Sequence, residues 1–122
     1  MATIIYQLEK KSLDELLIHA ACCKWEVSAE FFNNKESRRG GKDKNTDKRR
    51  MLYWLLWTDC QMTFSAIAER FNYQKSSMQD GIEKIDFMKG VYPSIANDIA
   101  NIREIAGKLQ VSMEVEVNVK IK

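Results

Sequence analysis

At 122 residues, with 45% apolar side chains and three tryptophans, the chain has material for one domain with a core of its own. Three cysteines with no C-x-x-C spacing, beside a single histidine, give neither a disulfide framework nor a zinc site. No apolar run approaches a membrane span, and no basic stretch followed by an apolar one opens the chain, so a cytoplasmic protein with Cys22, Cys23 and Cys60 reduced and in or near the core is expected.

The net charge of +2 is unevenly spread. Lys35, Arg38, Arg39, Lys42, Lys44, Lys48, Arg49 and Arg50 face only Glu36, Asp43 and Asp47 in the same segment, a local excess of +5 that leaves −3 for the rest of the chain. Such a segment is either a phosphate-facing edge or a solvated loop, and Gly40-Gly41 and Asn45 make it loop-like in both cases.

In chain order, Thr3–Leu8 is β-branched and aromatic, with Ile4, Tyr6 and Leu8 on one face, and predicts a short strand. Ser12 and Glu15 form an S-x-x-E capping box before Leu13, Leu16, Leu17, Ala20 and Ala21, whose spacing predicts an amphipathic helix over Leu13–Lys24. His19 lies off the centre of that stripe and reads as structural or exposed rather than catalytic. Trp25-Glu26-Val27 breaks the pattern, and Ser28 caps a short helix from about Ala29 to Asn33.

Asp47 can cap the next helix, where Met51, Leu52, Trp54, Leu55 and Trp57 are apolar on most sides and predict burial at the middle of the domain. Lys48, Arg49 and Arg50 occupy its first turn, where cations oppose the helix dipole; side chains facing phosphate would account for that cost. Thr63 caps a helix whose inward face is Phe64, Ile67, Ala68 and Phe71. Asn72-Tyr73-Gln74 is a tight turn, and the following helix opens on Lys75-Ser76-Ser77 with Met78, Ile82 and Ile85 inward. Gly81 inside that helix costs about 1 kcal/mol relative to alanine, which a close helix crossing would explain. A break at Gly90–Pro93 precedes a last helix, capped by Ser94, with Ile95, Ile99, Ile102 and Ala106 on one face and Gly107 as its stop.

From Val111 to Ile121, the odd positions are Val, Met, Val, Val, Val and Ile, and the even ones polar. This period of two predicts a long strand. Its one candidate partner in the chain is Thr3–Leu8, and the resulting ribbon either packs on the helices or pairs with a second copy. The marginal stability of a lone two-stranded ribbon favours a homodimer through the C-terminal strand. The expected organisation is therefore a single domain over 1–122: a strand in 1–11, a mainly α core of five to six helices in 12–106, and a strand tail in 108–122.

The stretch Leu13–Ala106 carries a resemblance. Val27-Ser28-Ala29-Glu30-Phe31-Phe32 stands where one family has a short "V-S-x-x-x-L" helix, and Arg38-Arg39 where it has a basic loop. Arg49–Leu56 stands for "A-R-x-x-A-x-Y-L", and Thr63–Phe71 for "S-L-x-E-I-G-x-x-F". In this order the features resemble the C-terminal DNA-binding domain of the bacterial replication initiator DnaA, within the Trp-repressor-like helix-turn-helix superfamily. The family signature after the turn is glycine, a basic residue, Asp, His, Ser/Thr, Thr, Val. Here it reads Asn72 through Met78, so the hydroxyl pair and the apolar residue are kept and the base-reading positions are changed.

The resemblance implies a helix-turn-helix fold and double-stranded DNA as partner, in a regulatory or accessory role in replication or mobile-element biology. It does not imply the initiator's own recognition sequence. The residues it puts at the DNA are Arg38, Arg39, Lys48, Arg49, Arg50, Tyr73, Gln74, Lys75, Ser76 and Ser77. About six phosphate contacts would give a log–log salt slope near −5. Asp80 and Glu83 on the outer face of that helix oppose this reading. The alternative is a helix-turn-helix scaffold that has lost DNA binding and uses the aromatics Tyr73 and Tyr92 and the strand tail for protein partners or self-assembly. No phosphate loop of the G-x-x-x-x-G-K-S/T type is present, and Gly40-Gly41-Lys42 is too short to count, so no nucleotide is expected. With no nucleophile motif or metal spacing, neither an enzyme nor a cofactor is expected.

Overall fold

The computed structural model describes residues 12–33 and 45–121, of which 111–121 as backbone only. The strand expected over Thr3–Leu8, and Arg38 and Arg39, lie outside the described residues. The rest is a mainly helical bundle: α1 Leu13–Trp25, a single 3-10 turn Ala29–Phe32, α2 Thr46–Asp59, α3 Phe64–Phe71, α4 Lys75–Met88 and α5 Pro93–Ile121. No strand occurs among the described residues.

The core is built around α2. Six consecutive residues, Met51 to Leu56, are buried, so this helix is covered on every side, as its all-round apolar sequence requires. α4 packs along one side of it and α1 and α3 on others, while α5 lies chiefly against α1. Leu16, Leu17, Ala20 and Ala21 of α1, Ile67, Ala68 and Phe71 of α3, Met78, Ile82 and Ile85 of α4, and Ile95, Ile99, Ile102 and Ala106 of α5 complete one cluster. These are the stripes the 3.6-residue period marks out.

Several helix ends follow local chemistry. The Thr63 hydroxyl accepts the Ala66 N–H at 3.1 Å and caps α3. Asn72 ends α3 in the left-handed conformation (φ 61°), and the Tyr73 N–H donates to the Ala68 carbonyl at 2.8 Å. Glu26 takes the same conformation after α1 (φ 55°), with Val27 N–H donating back to Cys22 O at 3.1 Å. Other caps differ from expectation. Ser12 makes no side-chain cap, although it stands at the cap position with extended backbone. Asn45, not Asp47, stands at the cap position of α2, which puts Asp47 in the first turn, where a carboxylate suits the dipole. Pro93 opens α5 and draws Ser94 inside it, since proline lacks only an N–H that is unpaired there anyway.

The C-terminal tail is the main correction. The backbone stays helical past Gly107 to Ile121, where the alternating pattern predicted a stop and a strand. Extending an existing helix adds one hydrogen bond for each residue fixed and needs no new nucleus. A strand instead needs a ladder partner, and no described strand offers one. The edge through which a second copy was expected to pair is therefore not formed. Cys23 is a smaller correction, being exposed rather than near the core; Cys22 and Cys60 are half-buried. All three are free thiols, and burial, then the charges of Asp14 and Asp59, push the Cys60 thiol up to about 11.

Salt bridges tie the outer edges. Arg103 of α5 donates twice to the Asp59 carboxylate at the end of α2, at 2.9 and 2.7 Å. Those bonds, more than its partial burial opposes, hold the Asp59 carboxyl below the usual carboxylate range. The Ser12 hydroxyl, the Glu15 backbone N–H and the Arg70 charge do the same for Asp14. A depressed carboxylate contributes stability that is present above its unfolded value, about 3.9, and is lost as pH falls through its folded value. Thermal melts are therefore expected to worsen below about pH 4, less steeply in Asp59→Asn.

Candidate nucleic-acid interface

Two contacts fix the relation of α2 to α4. Arg50 lies against Gly81, and four residues further along α2 the Trp54 indole N–H donates to the Asp86 carboxylate at 3.0 Å. Both helices therefore run in the same direction, and at 1.5 Å per residue they begin within about one turn of each other along the axis. The start of α2, with Lys48 and Arg50, and the start of α4, with Lys75, Ser76 and Ser77, lie at one end of the bundle. The Trp54 ring is held between two cations, with Arg103 Cζ 5.3 Å and Lys89 Nζ 5.6 Å from its centroid, so α2, α4 and α5 meet at one fixed point near the other end of α4.

At the first end, Gln74 occupies the cap position of α4 with extended backbone. Its carbonyl accepts the Met78 N–H at 3.0 Å, but its side chain caps none of the amides of Lys75, Ser76 and Ser77. Gln74, Lys75, Ser76 and Ser77 are all exposed. The structure thus brings these four expected residues together, with Lys48 and Arg50, both half-buried, at the same end.

Two expected site residues are placed differently. Arg49 is buried, at 8% exposure: its Nε donates to the Phe31 carbonyl at 2.7 Å and its guanidinium lies 4.2 Å from the Phe31 ring centroid. It pins the 3-10 turn to α2 rather than facing outward. Helical periodicity explains this, since Lys48 and Arg50 straddle Arg49 at 100° on either side. Tyr73 is half-buried instead of projecting from the turn. Its ring meets Tyr53 edge-on at 5.5 Å, and the two phenol oxygens are 3.3 Å apart. Tyr53 OH also donates to the Phe32 carbonyl. One buried tyrosine thus joins the turn before α4 to the residue pair that precedes the basic segment.

The acidic residues of α4 have local partners. Asp80 is 3.2 Å from Lys84 Nζ, and Glu83 accepts from the Gln79 amide at 3.0 Å. The sequence reading missed the first of these, although an Asp four residues before a Lys on a helix signals it.

Elsewhere, His19 is exposed and lines a shallow cleft with Glu15, Ile18, Cys22, Ala29 and Arg70. No group of three His, Cys, Asp or Glu able to hold a metal ion occurs among the described residues. No helix among them is long and apolar enough to cross a membrane. Compared with known proteins, the chain matches no family model, no curated protein and no solved structure.

Proposed function

We propose that the chain binds double-stranded DNA, presenting the first turn of α4 to a groove while the start of α2 holds phosphates. The observation that carries this reading is how the cations sort. Lys24, Arg70, Lys84, Lys89, Arg103 and Lys108 each have a carboxylate oxygen within 4.0 Å. Lys48, Arg50 and Lys75 have none among the described residues, and these three sit where α2 and α4 begin. Uncompensated cations gathered at one end attract a polyanion and steer its approach.

Ser76 and Ser77, with the uncapped amides beside them, suit phosphate oxygens, and Gln74 suits an adenine edge. Arg38 and Arg39 lie in the chain between Asn33 and Asn45 and extend the same basic run. The ion pair of Asp80 with Lys84 removes much of the objection that acids on α4 would repel DNA.

We read α3, its three-residue turn and α4 as a helix-turn-helix of the replication-initiator kind. The left-handed Asn72 and the Lys75-Ser76-Ser77 opening support this. We read DNA binding here as serving a regulatory or accessory role. The experiment is selection from random-sequence duplex at physiological salt. Enrichment by the wild type and its loss in Lys75→Ala support the reading; no retained duplex contradicts it.

A second reading, a protein-interaction module, is favoured by one observation. Phe87, Val91 and Tyr92 are 71%, 52% and 51% exposed and sit together in sequence at the corner between α4 and α5. That corner is at the far end of α4 from Lys75, so this surface is separate from the basic one.

A further inference from the structure

Gly81 faces α2, and what fills the space beside it is an arginine side chain rather than a helix backbone. A Cβ built at Gly81 would stand 3.0 Å from Arg50 Nε, 3.2 Å from Cγ and 3.3 Å from Cδ. All three distances are tighter than nine in ten Cβ contacts, so a side chain at position 81 makes the Arg50 stem give way by a few tenths of an ångström. The arginine stem therefore lies in a notch cut into α4, with the guanidinium starting at the surface of that helix. Arg50 is half-buried and has no carboxylate within 4 Å among the described residues, so its charge is held in place without being neutralised.

On a helix, the neighbours of Gly81 one turn back and one turn on include Ser77 and Lys84. Both are exposed, and Lys84 is itself steadied by Asp80 at 3.2 Å. A hydroxyl, a planar guanidinium and an ammonium thus follow one another along one flank of α4. A guanidinium whose stem is packed loses little freedom on binding, which suits it to a phosphate oxygen pair.

We infer that Gly81 is a positioning residue: it holds Arg50 against α4 so that Arg50 and Ser77 make one backbone-phosphate subsite of a DNA duplex, beside the Asp80–Lys84 ion pair. The inference rests on the duplex-binding reading above and adds a residue that touches no DNA.

The test is a double-mutant cycle on the full chain, read by fluorescence anisotropy with a labelled mixed-sequence duplex across a salt series. Gly81→Ala is expected to lower affinity by up to about fivefold at physiological salt and to flatten the log–log salt slope by up to about 0.9, the limit set by one lost phosphate contact. Arg50→Ala should do the same, and Gly81→Ala added to Arg50→Ala should cost nothing further. A helix stabilised by alanine should melt no lower than wild type. If Gly81→Ala does melt lower, comparison of the double variant with Arg50→Ala, where no arginine fills the notch, remains decisive: equal affinities support the inference and unequal ones overturn it. A wild-type slope in Gly81→Ala overturns the notch alone. A wild type that retains no duplex at low salt overturns both the notch and the reading beneath it.

Discussion

The variant Lys48→Ala/Arg50→Ala/Lys75→Ala is expected to bind duplex DNA on the order of a hundredfold more weakly than wild type at physiological salt, with a salt slope flatter by about 3. The arithmetic is one released counterion for each phosphate contact. At about 0.15 M salt each contact is worth roughly fivefold in affinity, and three compound to about two orders of magnitude. Melting temperature should fall only modestly, through the Arg50 stem packed at Gly81, because none of the three cations has an ion-pair partner to lose among the described residues. Arg49→Ala makes the matched control. Its side chain is spent on the Phe31 carbonyl and ring, so its loss should lower the melting temperature and leave the salt slope as it was. Anisotropy titrations and thermal melts on the three-alanine protein and on Arg49→Ala separate the two roles.

Phe32→Ala is expected to destabilise the fold by about 3–5 kcal/mol. Phe32 is fully buried and meets Phe31 edge-on at 5.1 Å and Trp25 at 6.4 Å, while its carbonyl accepts the Tyr53 hydroxyl. Truncation leaves a cavity at the junction of α1, the 3-10 turn and α2, next to the segment that holds Arg38 and Arg39. Against a total stability of about 5–15 kcal/mol for a domain, this is a large fraction. Urea unfolding should show the midpoint falling steeply with little change in slope.

What the sequence revealed and what it hid follow from the range of the interactions involved. Thr63 and Asn72 were legible because a cap and a left-handed helix end depend on a few neighbouring residues. The buried run Met51–Leu56 was legible because an all-round apolar helix has nowhere else to go. Arg49 was expected to face phosphate, and the structure buries it against Phe31. Its partner Phe31 is 18 residues away, and nothing local distinguishes Arg49 from Lys48 or Arg50 except which way the helix turns. Tyr73 was expected to project from the turn, and its half-burial was hidden for the same reason, since Tyr53 reaches it only through the fold. Gly81 was recognised as a close approach, but its occupant, a side chain from α2, could not be seen from the spacing. The tail misled because strict alternation fits an extended chain, whereas the deciding quantity, a ladder partner, is not written in the segment itself.

The central claim is that the end of the bundle where α2 and α4 begin is a phosphate-binding face. The most direct measurement is the affinity of the full chain for a mixed-sequence duplex as salt is raised. With Lys48, Arg50 and Lys75 at phosphates and Arg38 and Arg39 alongside, log affinity should fall against log salt with a slope between about −4 and −5. A slope near zero, or no retention of duplex at the lowest salt, would contradict it.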